Sequence, residues 1–164
     1  MARARKPAKR VPSSAPRRKA PRRTTEAPSV LPMYEMALLE LAQRLSAIAA
    51  EDEPPGTSLR GALERVVASY ARGGALAKLV ADAWRAATTD KRAALSLAWA
   101  REQLRLAVAD VLAREAKGGR LRADLPLDAV AWVVLAGAEA VMHELPERAV
   151  DRIDTLLALV EPPR

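Results

Sequence analysis

Three observations in the sequence predict an all-α domain. From Leu31 onward apolar residues recur three or four positions apart, the period of one helix face. Pro, Gly and capping residues interrupt that pattern at helix-sized intervals, and nowhere does the two-residue alternation of a half-buried strand replace it. The β-branched pair Val133-Val134 is itself embedded in helical spacing. The reading is a bundle of six helices over residues 32–161, preceded by a segment, 1–31, of another kind, and no repeat of fixed period is visible.

The first helix is expected in MYEMALLELAQRLSAIAA, where Tyr34, Leu38, Leu41, Leu45 and Ile48 share a face. Pro54, Pro55 and Gly56 break the chain, after which Thr57 or Ser58 can cap a second helix carrying Leu59, Leu63, Val66, Val67 and Tyr70. Gly73-Gly74 stop it, and a third helix runs from about Ala75 to Ala87 with Leu76, Leu79, Val80, Ala83 and Trp84 in register. Beyond Thr88-Thr89-Asp90 lies the longest stretch, about Lys91 to Lys117, free of Gly and Pro and rich in Ala, Leu, Arg and Glu, all strong helix formers. It ends at Gly118-Gly119.

RLRADLPLD then reads as a polar elbow, with Pro126 where a first-turn proline is tolerated. Between Ala129 and Met142 the only charge is Glu139, so the fifth helix is expected to be buried on every side; it is too short for the roughly 20 residues of a membrane span. A sixth helix, from about Pro146 to Val160, carries Ala149, Val150, Ile153, Leu156, Leu157 and Val160 on one face and stops before Pro162-Pro163.

Charge divides the chain in the same place. The formal net charge is +7 over 164 residues. Residues 1–31 hold ten cations against Glu26 alone, a net +9, leaving 17 cations and 19 acids, a net −2, in the remainder. Pro7, Pro12, Pro16, Pro21 and Pro28 forbid a helix of more than a turn or two, and too few apolar residues remain to offset chain entropy, so this arm is expected to be disordered. Arg17, Arg18, Lys19, Arg22 and Arg23 are its densest cations, suited to non-specific contact with nucleic-acid phosphates, while the lack of an aromatic residue removes base stacking. A solubilising arm, a transit peptide or a start at Met33 or Met36 are the competing readings.

The search for chemistry returns little. Without Cys there is no disulfide, thiolate metal site or thiol nucleophile, and a single His forbids a His-rich metal site, so no cofactor and no enzyme activity are expected. His143 reads as packed or as compensating a helix end, with Glu139 four residues before it within reach. Arg101 and Arg105 interrupt an apolar stripe of Ala94, Ala98, Val108 and Leu112. They read first as salt-bridging residues and alternatively as guanidiniums orienting an anionic effector. Trp84, Trp99 and Trp132, with Tyr70 and Met142, either line an apolar pocket or supply core volume in a chain lacking Phe.

The order of the pieces, with the elbow Gly119, Leu121, Arg122 and Asp124 followed by an apolar helix containing Ala136, Gly137 and Ala138, resembles the C-terminal effector-binding and dimerisation domain of TetR-type transcriptional regulators over about residues 33–160. The resemblance implies a six-helix domain of that type from a bacterial, cytoplasmic regulator. It implies an apolar ligand cavity and homodimerisation through the last two helices, and it goes with no membrane association. The dimer surface is then expected at Val133, Gly137, Val141, Val150, Ile153 and Leu157, with mixed dimers with a full-length regulator as the alternative. In place of that family's helix-turn-helix stands the basic arm, so DNA contact is expected to be non-specific at most.

Overall fold

A computed structural model of the chain describes residues 32–50, 57–145 and 148–162. The chain divides into two units, Met1–Val30 and Leu31–Arg164, and the basic arm lies outside the described residues. The described part of the second unit is all-helical: α1 (Met33–Ala50), α2 (Thr57–Ser69), α3 (Ala75–Ala87), α4 (Lys91–Lys117), α5 (Leu127–Val141) and α6 (Ala149–Val160). No strand occurs among the described residues.

α4 is the axis of the domain. Its 27 residues make a rod about 40 Å long, against which α1, α2, α3 and α5 all pack. Asp90 starts it, its carboxylate accepting from the Arg92 backbone N–H at 2.8 Å, and Thr88 and Thr89 hydroxyls donate back to the last carbonyls of α3. Side-chain capping at Thr57 or Ser58 falls outside the described side chains.

α1 and α4 lie side by side and run in the same direction. At their starts the Ser96 hydroxyl donates to the buried Glu35 carboxylate; near their ends the Arg114 guanidinium donates to the Ile48 carbonyl at 2.7 Å. The shared interior is made of Leu38, Leu41, Leu45 and Ile48 from α1 with Leu97, Leu104, Val108, Val111 and Leu112 from α4. On α1 these are the residues read from the sequence; on α4 Val108 and Leu112 are buried as expected, but Ala98 is exposed and Leu97, Ala100 and Leu104 face the core in its place.

The close of α4 shows why the double glycine stands there. Gly119 takes φ +70°, the left-handed region, so that its N–H reaches the Ala116 carbonyl at 2.9 Å and the Arg120 N–H reaches Glu115 at 3.2 Å. These are the two bonds of a Schellman stop. Arg120 then folds back, its Nε donating to the buried Glu115 carboxylate at 2.8 Å. Leu121 enters the core, and the Arg122 N–H binds the Val160 carbonyl at 3.0 Å, joining the elbow to the end of α6.

Two expectations need correction. α5 begins at Leu127 with Pro126 as its cap residue, and it is not buried all round. Ala131, Val134, Leu135, Ala138 and Val141 face the core, while Trp132 is 60% exposed and Val133 45%. The domain supplies packing partners for α5 from α2, α4 and α6, which leaves its outer side uncovered. α6 begins at Ala149 with Arg148 as cap; Pro146 and Glu147 lie outside the described residues.

Candidate functional site

Two regions hold the residues singled out in the sequence. The first is a polar seam between α4 and α5. Arg101 projects from α4 onto Glu139 of α5 in a two-pronged contact, Nε to Oε1 at 2.6 Å and Nη2 to Oε2 at 2.8 Å. The Trp84 ring of α3 lies against the same guanidinium, 4.9 Å from centroid to Cζ. Both charged side chains are largely covered, so desolvation that would otherwise be costly is offset by a planar, fully matched pair. One turn along α4, Arg105 holds Glu102 by two bonds at 2.8 and 2.6 Å and also meets Asp128 at the start of α5. The hydrogen bond from Arg105 holds the Glu102 carboxyl below its usual range, and Glu102 in turn raises Arg105.

Both arginines are therefore engaged by carboxylates, as the first of the two sequence readings had it. Glu139 is turned to Arg101, and His143, just beyond α5, is exposed. The i,i+4 spacing made a Glu139–His143 contact available on one helix, but spacing within a helix carries no information about an arginine 38 residues away.

Tyr70 completes the seam from the end of α2. It is wholly buried, and its hydroxyl has no hydrogen-bond partner among the described residues. Burial raises its pKa well above the ordinary phenol value; the Glu139 charge adds to this and Arg101 opposes it. A buried, unpartnered hydroxyl costs roughly 1–3 kcal/mol, so Tyr70→Phe is expected to raise the melting temperature by a few degrees. Thermal unfolding followed by circular dichroism checks this, and a fall would show that the hydroxyl is satisfied in solution.

Of the other pocket candidates, Trp84 meets the seam through Arg101, and all three tryptophans keep a solvent-exposed side. Trp84, Trp99 and Trp132 are 43%, 49% and 60% exposed, and Met142 is half-buried at the end of α5. The large volumes expected of them in the core come instead from leucines and Tyr70. None of the three tryptophans, nor Tyr70, lines either of the two cavities described on this domain. One, of about 530 Å³, is formed at the elbow by Leu121, Arg122, Ala123, Asp124, Ala158, Glu161 and Pro162. The other, of about 320 Å³, belongs to the second region.

That second region is the outer side of α5 and its junction with α6. Ala129, Trp132, Val133 and Ala140 are exposed, and Ala136 and Gly137 are partly so. Because Glu139 is committed to Arg101, this surface carries no charge over three turns. Beside it an open apolar groove of about 320 Å³ is lined by Leu125, Pro126, Val130, Val133, Leu156 and Leu159, among others, with Arg122 at its end. A Cβ placed on Gly137 would meet only Leu156 Cδ1, at 4.0 Å, so packing against α6 does not require glycine there.

Of the residues expected at a dimer surface, Val133 and Val150 are exposed and Gly137 is partly covered; Val141, Ile153 and Leu157 lie in the domain's own core. Period alone could not separate them, because α5 is apolar on both sides and α6 spends its cleanest face on α2 and α5. Ala129, Trp132, Ala140 and Leu159 are exposed residues that period assigned no role at this surface; the absence of any charge but Glu139 between Ala129 and Ala140 was the available signal. Arg17, Arg18, Lys19, Arg22 and Arg23 lie outside the described residues.

Among the described residues no cluster of His, Asp or Glu could hold a metal ion, and no helix is long and apolar enough to cross a membrane. No protein-family model, curated protein or solved structure matches the chain.

Proposed function

We propose that the chain is a non-enzymatic, TetR-type regulatory protein. In this reading the helical domain associates with a second copy through the outer side of α5 and takes a small apolar or amphipathic effector, while the basic arm contacts nucleic acid without sequence preference. The observation that carries the reading is the exposed, uncharged face from Ala129 to Ala140. In a two-fold contact each side chain meets the same surface of its own copy, so any net charge there would repel itself; this face has none to repel. Trp132 and Val133 supply exposed apolar area that association would remove from water.

Support for the arm comes from charge. Its net +9 is joined to a domain of net −2, so the chain's net attraction to phosphate comes from residues 1–31. The test is a titration of the full chain with duplex DNA at two salt concentrations. It is compared with a full-length variant in which Arg17, Arg18, Lys19, Arg22 and Arg23 are replaced by Ser. Each lost phosphate contact removes about 0.9 from the log–log salt slope, so the variant is expected to bind more weakly with a slope shallower by up to about 4.5. Unchanged affinity would overturn the assignment of nucleic-acid contact to the arm.

A further inference from the structure

We infer that the solvent side of α4 is a separate contact surface for another copy of this chain, met antiparallel about a two-fold axis at the middle of the helix. The inference goes beyond the pairing through α5 proposed above and does not rest on it. On the side of α4 away from Leu97, Ala100 and Leu104, the helix leaves Leu95, Trp99 and Leu106 in solvent, at 63%, 49% and 44% exposure. Lys91, Glu102 and Asp110 are exposed on the same side. Together the six form one stripe along the helix, Lys91, Leu95, Trp99, Glu102, Leu106 and Asp110, with steps of four, four, three, four and four residues. Large apolar side chains aligned in solvent offer area that association would remove from water.

The order of the stripe says what covers it. A cation stands at its start, an acid at its end and apolar side chains between, and the spacing reads the same from either end. One midpoint, between residues 100 and 101, is shared by Lys91 with Asp110, by Leu95 with Leu106 and by Trp99 with Glu102. A second copy turned end for end over that midpoint therefore sets Leu95 against Leu106 and Lys91 against Asp110, each of them twice. Neither Lys91 nor Asp110 has an ion-pair partner among the described residues, so each has its charge to offer. Glu102 lies near the axis, and two bonds from Arg105 already match its charge against repulsion by its own copy. A parallel contact would set Lys91 on Lys91 and Asp110 on Asp110, so the charges select the antiparallel order.

The chain has no cysteine, so introduced thiols report on single positions. Two full-length proteins, Leu95→Cys and Leu106→Cys, are made in a Val133→Glu background that removes pairing through the outer side of α5. Under mild oxidation their mixture is expected to give at least ten times more disulfide-linked dimer than either protein alone. In the antiparallel register position 95 faces position 106, whereas like positions lie about 16 Å apart along the axis, beyond the roughly 7 Å between Cα atoms that a disulfide bridges. Sedimentation of the Val133→Glu chain with its native α4 is expected to show association, weakened at least fivefold by Lys91→Glu and recovered when Asp110→Lys is added. Circular dichroism checks that each variant keeps its helical content.

Equal yields from the mixture and the separate proteins, or no linked dimer in any of them, would overturn the inference. So would a Val133→Glu chain that is monomeric while the wild type associates, and that result leaves the reading of α5 intact. Equal association of the wild type and the Val133→Glu chain, with the mixed disulfide formed, upholds the inference and overturns pairing through α5.

Discussion

Leu104→Ala is expected to destabilise the domain by about 3–4 kcal/mol, whereas Leu106→Ala, two residues along the same helix, changes stability by well under 1 kcal/mol. Leu104 is wholly buried midway along α4, the helix against which α1, α2, α3 and α5 pack; Leu106 is 44% exposed. Truncating Leu104 removes apolar contact and leaves a cavity that four anchored helices cannot collapse to fill. Against a typical stability of roughly 5–15 kcal/mol, this is a large share. Urea unfolding measures it: the midpoint should fall sharply for Leu104→Ala with an unchanged denaturant slope, and hardly move for Leu106→Ala. Equal effects at the two positions would show that α4 is not the axis described.

The Arg101–Glu139 pair gives a prediction with a reversal of sign. Glu139→Ala leaves a largely covered guanidinium with the Trp84 ring and no carboxylate, and is expected to cost about 2–3 kcal/mol. Arg101→Ala leaves a carboxylate that is only 12% exposed and is expected to cost a similar amount. Replacing both residues together by leucine removes both buried charges, and this double variant is expected to be more stable than either single one. A double-mutant cycle by denaturant unfolding reads the coupling directly. If the double variant is destabilised by the sum of the two singles, the residues act independently and the seam is not held by their contact.

These two cases also show how far the sequence could be read. α1, α3 and α4 were legible to within a residue or two because their signals are local: a 3–4 residue apolar period, an Asp90 cap, and Gly73 and Gly119 where φ is positive. The burial of Leu104 was not: the stripe read on α4 ran through Ala94 and Ala98, whereas Leu97, Ala100 and Leu104 face the core and Ala98 is exposed. Arg101 was legible as an interruption of an apolar stripe, but its partner was not, because Glu139 and Trp84 come from other helices and a pairing across helices leaves no trace in spacing. α5 failed for a different reason. Its apolar composition is the same on both sides, so the sequence could not say which side the domain covers, and Trp132 and Val133 turned out on the open one while Val141 turned inward.

The same-direction pairing of α1 with α4 has a kinetic consequence. Its contacts join residues far apart in the chain: Glu35 with Ser96, 61 positions away, and Ile48 with Arg114, 66 away. Such an interface closes only after the intervening helices have turned the chain back, and that closure carries an entropic cost that helix formation along α4 does not. The order of assembly that follows places α4 with its sequence neighbours α3 and α5 early and the docking of α1 last. Pulsed amide hydrogen exchange during refolding should accordingly protect the backbone of central α4 before that of α1. Formation of the domain is then paced by the joining of two sequence-distant helices rather than by the growth of any single one.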